Sequence, residues 1–109
     1  MEFYTIYNEK KEIAPDRFIE GPISLKLDNY KKVFIGFDSE DVAEIFKEKI
    51  KIDGKIVHSS ELRNEPYKDF MDKNFRYVLI FNKEVLANYV LNRDGLDLDN
   101  YIYPFNNNS

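Results

Sequence analysis

The sequence predicts a single α+β domain, with a mixed sheet of four to five strands and two or three helices mainly on one face. Three observations carry this. Residues 33–46, VFIGFDSEDVAEIF, read as a buried strand, a short cap and an amphipathic helix in one unbroken run. Residues 77–90, YVLIFNKEVLANYV, repeat that pattern 44 residues later. Short alternating stretches elsewhere, bounded by Gly, Pro, Asn and Asp, read as further strands joined by turns.

The first element is a strand of about five residues, in which Phe3, Thr5 and Tyr7 alternate with Glu2, Tyr4 and Ile6. Asn8 to Lys11 reads as a polar turn. Pro15 fixes its own φ and pushes Ala14 toward extended geometry, so the chain breaks at Ala14–Asp16. Gly21-Pro22 reads as a second break. Ile23, Leu25 and Leu27 then alternate with polar residues as a half-buried strand, and Asp28-Asn29 turns the chain. Lys31 and Lys32 are expected in solvent. Val33–Phe37 follows, close enough to pair with Ile23–Leu27 as a hairpin. This strand is apolar at nearly every position, as a strand covered on both faces must be.

Asp38 or Ser39 supplies a capping oxygen, and Glu40 and Asp41 suit the positive end of the helix dipole. Val42, Ile45, Phe46 and Ile50 share one helical face, and Lys47, Lys49 and Lys51 suit the other end. Residues 52–55 form a turn and residues 55–58 a short strand. Pro66 opens a short helix to about Asp72, capped by Asn64 or Glu65, with Tyr67, Phe70 and Met71 inward. Residues 75–81 form a strand. Asn82 caps a last helix with Val85, Leu86, Tyr89 and Val90 on its buried stripe, ended by Asp94-Gly95. Residues 101–105 read as an edge strand, which tolerates Pro104. The domain is expected over residues 1–105, with a disordered tail at 106–109.

Aligned at the 44-residue offset, Phe37, Glu40 and Ala43 match Phe81, Glu84 and Ala87. Two readings fit: a duplicated strand–helix unit, or two units converging on the residues such units need. Either allows the two strands to lie parallel in one sheet.

A chain of 109 residues has the size of one domain and can bury one core without staples. It has no cysteine, which excludes disulfides, thiolate zinc sites and cysteine nucleophiles. Cysteine-free composition and the absence of a basic, apolar leader in MEFYTIYNEKKE suggest a cytoplasmic protein. No apolar run reaches the roughly 20 residues of a membrane helix. The net charge of −4 argues against nucleic acid as a partner, which demands a cationic surface. Nine Phe and eight Tyr are many for this length, but the excess of Lys, Asn and Ile beside them points to an AT-rich genome as one source.

Chemistry has few places to sit. If the two long strands are parallel neighbours, Asp38, Ser39, Asn82 and Lys83 gather at one sheet edge beside two helix N-termini, where ligands and anions bind in open α/β sheets. Gly36 would then permit close approach of a ligand. The plainer reading makes Asp38, Ser39 and Asn82 helix caps and Gly36 a packing residue. His58, the single histidine, stands in HSSE with two hydroxyls and a carboxylate. Sequence neighbours rarely supply a triad, so a turn histidine is the plainer reading. Asp94, Asp97 and Asp99 form DGLDLD, in which glycine precedes two of the acids, unlike a calcium loop. No carboxylate pair can be chosen for glycoside chemistry without a geometry. No metal, cofactor or catalytic set is expected.

Asp97, Asp99, Tyr101, Tyr103 and Phe105 form the most distinctive surface candidate. The three aromatic residues share one parity beside an acidic rim, a pattern suited to gripping another protein. Covering the core edge is the plainer alternative. Tyr4 and Tyr7 would join them if the chain ends are neighbours. The expected function is accordingly a small, acidic, non-enzymatic protein that binds and regulates or inhibits another protein, as an immunity-type partner or a phage-encoded antagonist does. The alternatives are a small-ligand or anion-binding domain using Gly36, Asp38, Ser39 and Asn82, and a structural subunit of a homo-oligomer pairing through the 101–105 strand.

Overall fold

The computed structural model describes residues 2–27, 30–91 and 98–105. In chain order they form β1 (Tyr4–Ala14), β2 (Arg17–Pro22), β3 (Ser24–Leu27), β4 (Tyr30–Phe37), α1 (Glu40–Ile50), β5 (Lys55–His58), α2 (Lys68–Asn74), β6 (Tyr77–Phe81), α3 (Lys83–Leu91) and β7 (Ile102–Pro104). Short 3-10 turns lie at Glu61–Arg63 and Leu98–Tyr101. The expected turn at Asp28-Asn29, the helix end at Asp94-Gly95, the acid Asp97 and the tail at 106–109 lie outside the described residues.

The centre of the fold is the pair the sequence singles out. β4 and β6 run parallel, with Phe34 beside Val78 through to Phe37 beside Phe81. Each pair differs by 44, so the two units lie side by side in the register of their sequence similarity. The helices slip against that register. α1 begins at Glu40 after its cap Ser39, whereas α3 begins at Lys83 after Asn82. Glu40 is thus the first residue of its helix and Glu84 the second of its own. Their identity does not mark equivalent helical positions, which favours convergence over duplication.

Around this pair the sheet is mixed and open. β7 lies antiparallel to β6 at one side. On the other side Tyr4 and Thr5 pair with Phe37 and Gly36 of β4. The same residues of β1 pair on their far edge with β5. Beyond Thr5, β1 leaves β4 and runs into a hairpin with β2, closed at Ala14 and Arg17. β3 then takes the place beside β4, as the expected hairpin. Ile23 joins the three segments: its N–H donates to the Ile6 carbonyl at 3.0 Å, and its own carbonyl accepts from Ile35 N–H at 2.9 Å. Gly21, with φ of 102°, takes the chain round this corner against the ring of Phe70, where a Cβ would lie 2.4 Å from Cε1.

Strand alternation divides the core between the two sheet faces. Val33, Ile35, Phe37, Leu79 and Phe81 pack with Val42, Ala43 and Phe46 of α1 and Val85 and Leu86 of α3. Phe34 and Val78, of opposite parity, pack with Phe3, Tyr7, Val57, Leu62 and Phe75 beneath Met71 of α2. This explains why β4 is apolar throughout. α1 and α3 share one face and α2 covers the other, and the sheet has seven strands where the sequence suggested four or five.

The difference in strand number has a local cause. Asn8–Lys11 does not turn: it continues β1, whose 11 residues are twice the expected length. β2 is the one strand with no counterpart among the expected elements, and Gly21-Pro22 forms its end rather than a break in coil. Register shifts between Asn8 and Lys11 and between Glu12 and Ala14 mark bulges in the β1–β2 pair. A bulge breaks the two-residue period by which a strand is recognised. Two helices also end differently from expectation. α1 closes at Lys51, whose left-handed φ of 52° lets its N–H reach the Lys47 carbonyl. α2 starts at Lys68, so Pro66 precedes it, and neither Asn64 nor Glu65 caps it with a side chain. On α1, Ile50 is 44% exposed, outside the buried stripe.

Candidate functional site

The edge at the carboxyl ends of β4 and β6 assembles as the parallel pairing requires. Asp38 N–H continues the ladder to the Phe81 carbonyl at 3.0 Å. Ser39 Oγ accepts from Val42 N–H at 3.3 Å, and Asn82 Oδ1 accepts from Val85 N–H at 2.8 Å. Both polar side chains are therefore engaged as helix caps. A cavity of about 510 Å³ lies here, lined by Asp38, Ser39, Asp41, Val42, Glu44, Ile45 and Lys83. Its three carboxylates outnumber its one ammonium, so its field opposes an anion despite the helix N-termini. Gly36 does not open onto it as a point of ligand approach. A Cβ on Gly36 would lie 2.8 Å from Phe3 Cδ2, 2.9 Å from Ile80 Cδ1 and 3.2 Å from Val78 Cγ2, all on the face under α2. The missing side chain is replaced by protein.

The C-terminal aromatic residues do not form one surface. Tyr101 ends a 3-10 turn and packs, half-buried, against the core under α1 and α3. Phe105 packs into the opposite core, its ring centroid 4.9 Å from Phe34 and 6.4 Å from Phe3. The 3-10 geometry at Tyr101 breaks the alternation on which their common face depended. Tyr103, 37% exposed, remains on the surface with exposed Asp99 and Pro104. The first and last described segments meet through Phe3 and Phe105, not through Tyr4 and Tyr7. Tyr4 packs edge-on against His58 at 5.0 Å, and Tyr7 packs against Tyr67 at 4.7 Å.

β7 is the expected edge strand, and its free side is poor in donors. Phe105 N–H donates inward to the Arg76 carbonyl. By alternation Tyr103 also faces β6, which leaves Ile102 and Pro104 facing outward. Pro104 has no N–H, so among the described residues of β7 the outer side offers a single donor. This short, proline-blunted edge disfavours the homo-oligomer that would pair through it.

His58 makes closer contacts with its neighbours than its isolation suggests. Its Nδ1 lies 2.8 Å from Ser60 Oγ and accepts from Ser60 N–H at 3.2 Å, while its backbone N–H donates to Glu61 Oε2 at 3.0 Å. These contacts span two or three residues and close the exposed turn after β5. The carboxylate holds the backbone rather than the ring, so the relay of an acid, a histidine and a serine is not built. Among the described residues no group of three or more metal-ligating side chains converges.

A larger cavity lies where no local sequence pattern announces one. It measures about 630 Å³ at the base of the β1–β2 hairpin, between Tyr7–Lys11 on one side and Ile52–Lys55 on the other. Ile19 and Ile23 complete its apolar lining, and Lys10, Lys11, Lys55, Glu9 and Asp53 also line it. Residues from three separated stretches meet here, and no local spacing announces that meeting. Tyr7 is buried beside it, with its hydroxyl pKa pushed up to about 12 by burial, then by the charge of Glu20 and by Tyr67.

No family model, no curated protein and no solved structure matches the chain. Among the described residues no helix is long and apolar enough to cross a membrane.

Proposed function

We propose that this chain is a small non-enzymatic module that binds another protein and thereby regulates or inhibits it. The observation that supports it best is the composition of the β6–β7 rim. Tyr77 and Tyr103 are each more than a third exposed on neighbouring strands, and their positions alternate between the two faces of the sheet edge. Tyrosine buries a large area on binding at low entropic cost, which makes it a frequent interface anchor. Exposed Asp99 and Pro104 border the same rim. The rim replaces the wider face expected from sequence: Phe105 belongs to the core, Tyr101 is half-covered, and Tyr103 with Asp99 carries what remains.

The test uses a photo-crosslinking residue at position 103, with one at Glu48 on exposed α1 as control, in lysate of the native host. A single stoichiometric adduct from position 103, lost when Asp99→Lys is added to a chain with unchanged melting temperature, supports the reading. Equal crosslinking from both positions, or none from either, rejects this rim as the interface.

A further inference from the structure

The cavity at the base of the β1–β2 hairpin is the feature the protein-binding reading leaves unused. It lies at the β1–β5 side of the sheet, whereas the tyrosine rim belongs to the β6–β7 side. Its volume of about 630 Å³ falls in the ordinary range for small-molecule sites. Its chemistry is divided. Ile19, Ile23 and Ile52 offer an apolar surface, and three lysines, Lys10, Lys11 and Lys55, line the cleft with two acids, Glu9 and Asp53. On a chain with a net charge of −4 this is a local cationic excess. Lys11 and Lys55 have no ion pair among the described residues.

The backbone explains how so many adjacent residues reach one place. Five consecutive residues, Tyr7 to Lys11, contribute to the wall. A regular strand sends successive side chains to opposite faces. The register shift between Asn8 and Lys11 breaks that rule at this point, and bulges commonly re-aim side chains beside binding sites. The facing loop is held close by Gly54, where a Cβ would stand 2.5 Å from Ile6 Cγ2. Any larger residue would push the wall formed by Ile52–Lys55 away from β1.

We infer that this cleft binds a small amphipathic organic anion, with its apolar body on Ile19, Ile23 and Ile52 and its charged head at Lys11 and Lys55. A medium-chain carboxylate has that chemistry. The site is distinct from the protein-binding rim and stands or falls independently of it. It also differs from the anion site expected at the carboxyl ends of β4 and β6, where carboxylates dominate the cavity.

The experiment is an amide-resolved NMR titration of the full chain with sodium octanoate, 1-octanol and sodium acetate. Octanoate should shift the amides of residues 8–11 and 53–55, octanol should bind several-fold more weakly, and acetate should leave them unmoved. Lys11→Gln and Lys55→Gln should each weaken octanoate about tenfold, as expected for losing one charged hydrogen-bond donor. Both lysines are exposed, so these variants keep the fold. Equal binding of octanoate and octanol, shifts centred elsewhere, unchanged affinity in both variants, or no shifts at all would each overturn the inference.

Discussion

The ring of Phe105 meets the ring of Phe34 edge-on, with centroids 4.9 Å apart and planes at 85°. Phe34 is fully buried in the middle of the sheet, so this contact ties the last described residue to the centre of the fold. Phe3 packs against both rings, which brings the first and last described segments into one aromatic cluster. An aromatic pair of this geometry adds stability beyond the area it buries. Phe105→Ala should therefore destabilise the domain by about 2 kcal/mol, below the range for a fully buried phenylalanine because Phe105 is half-buried. Urea denaturation measures this directly. A loss below about 0.5 kcal/mol, the scale of an ordinary surface change, would show that the ring is not a core element.

Gly36 distinguishes packing from ligand approach. Its neighbours Phe3 and Ile80 leave no room for a methyl group, so Gly36→Ala should act as an overpacking mutation and cost about 1–3 kcal/mol. The lowered melting temperature should be the same with or without added metabolites. A neutral Gly36→Ala would mean that Phe3 yields easily and that the packing account of this glycine is wrong.

The sequence made some of this legible because certain signals are local. β4, β6, α1 and α3 each carry periodicity and a cap within a dozen residues, and all four form. Their similarity allowed a parallel pairing without requiring it, and the strands do pair so, in a register of 44. The rest depended on contacts between distant residues. Glu9, Lys10, Lys11 and Glu12 lie in a strand because β2 pairs with them around bulges, and nothing in their own pattern says so. Charged residues and bulges there also discourage a foreign strand from pairing with the hairpin. Tyr101, Tyr103 and Phe105 kept their spacing in sequence but lost a common face to one 3-10 turn. The cleft was hidden because its parts are some 40 residues apart in sequence.

Capping accounts for the polar residues at the β4–β6 edge. Ser39→Ala and Asn82→Ala should each cost about 1 kcal/mol in denaturant titrations, because each leaves a helix N–H without its acceptor. Asp38→Ala should change stability by less than about 0.5 kcal/mol, since the cap of α1 is Ser39 and Asp38 is exposed. A loss at Asp38 as large as that at Ser39 would reassign the cap.

Lys51 ends α1 in a conformation that suits glycine better. Its φ of 52° places the Cβ of an L-residue against the following carbonyl, at a cost of about 1–2 kcal/mol. Glycine avoids that clash but loses more backbone entropy on folding. Lys51→Gly should thus give a net gain of about 0.5–1 kcal/mol, visible as a higher melting temperature. Lys51→Ala retains the clash and should not show the gain. Equal stabilisation by both variants would implicate the lysine charge rather than the backbone.

Tyr7 gives the fold a defined alkaline limit. Its hydroxyl pKa is pushed from 10.0 to about 12, first by burial and then by Glu20 and Tyr67. Below pH 10 the hydroxyl is protonated in both folded and unfolded chains, and its contribution to stability is fully present. Between pH 10 and about 12 the unfolded chain releases this proton while the folded chain retains it. The unfolded state then binds fewer protons, so stability must fall as pH rises through that window. Other tyrosines and the lysines titrate nearby, so the informative quantity is the difference between the wild type and Tyr7→Phe. That difference in urea midpoint should be flat up to about pH 9 and should move in favour of Tyr7→Phe from about pH 10 upward. Parallel curves for the two proteins from pH 9 to 12 would show that Tyr7 ionises as easily in the folded chain as in water, and that its burial beside Tyr67 does not exclude its charged form.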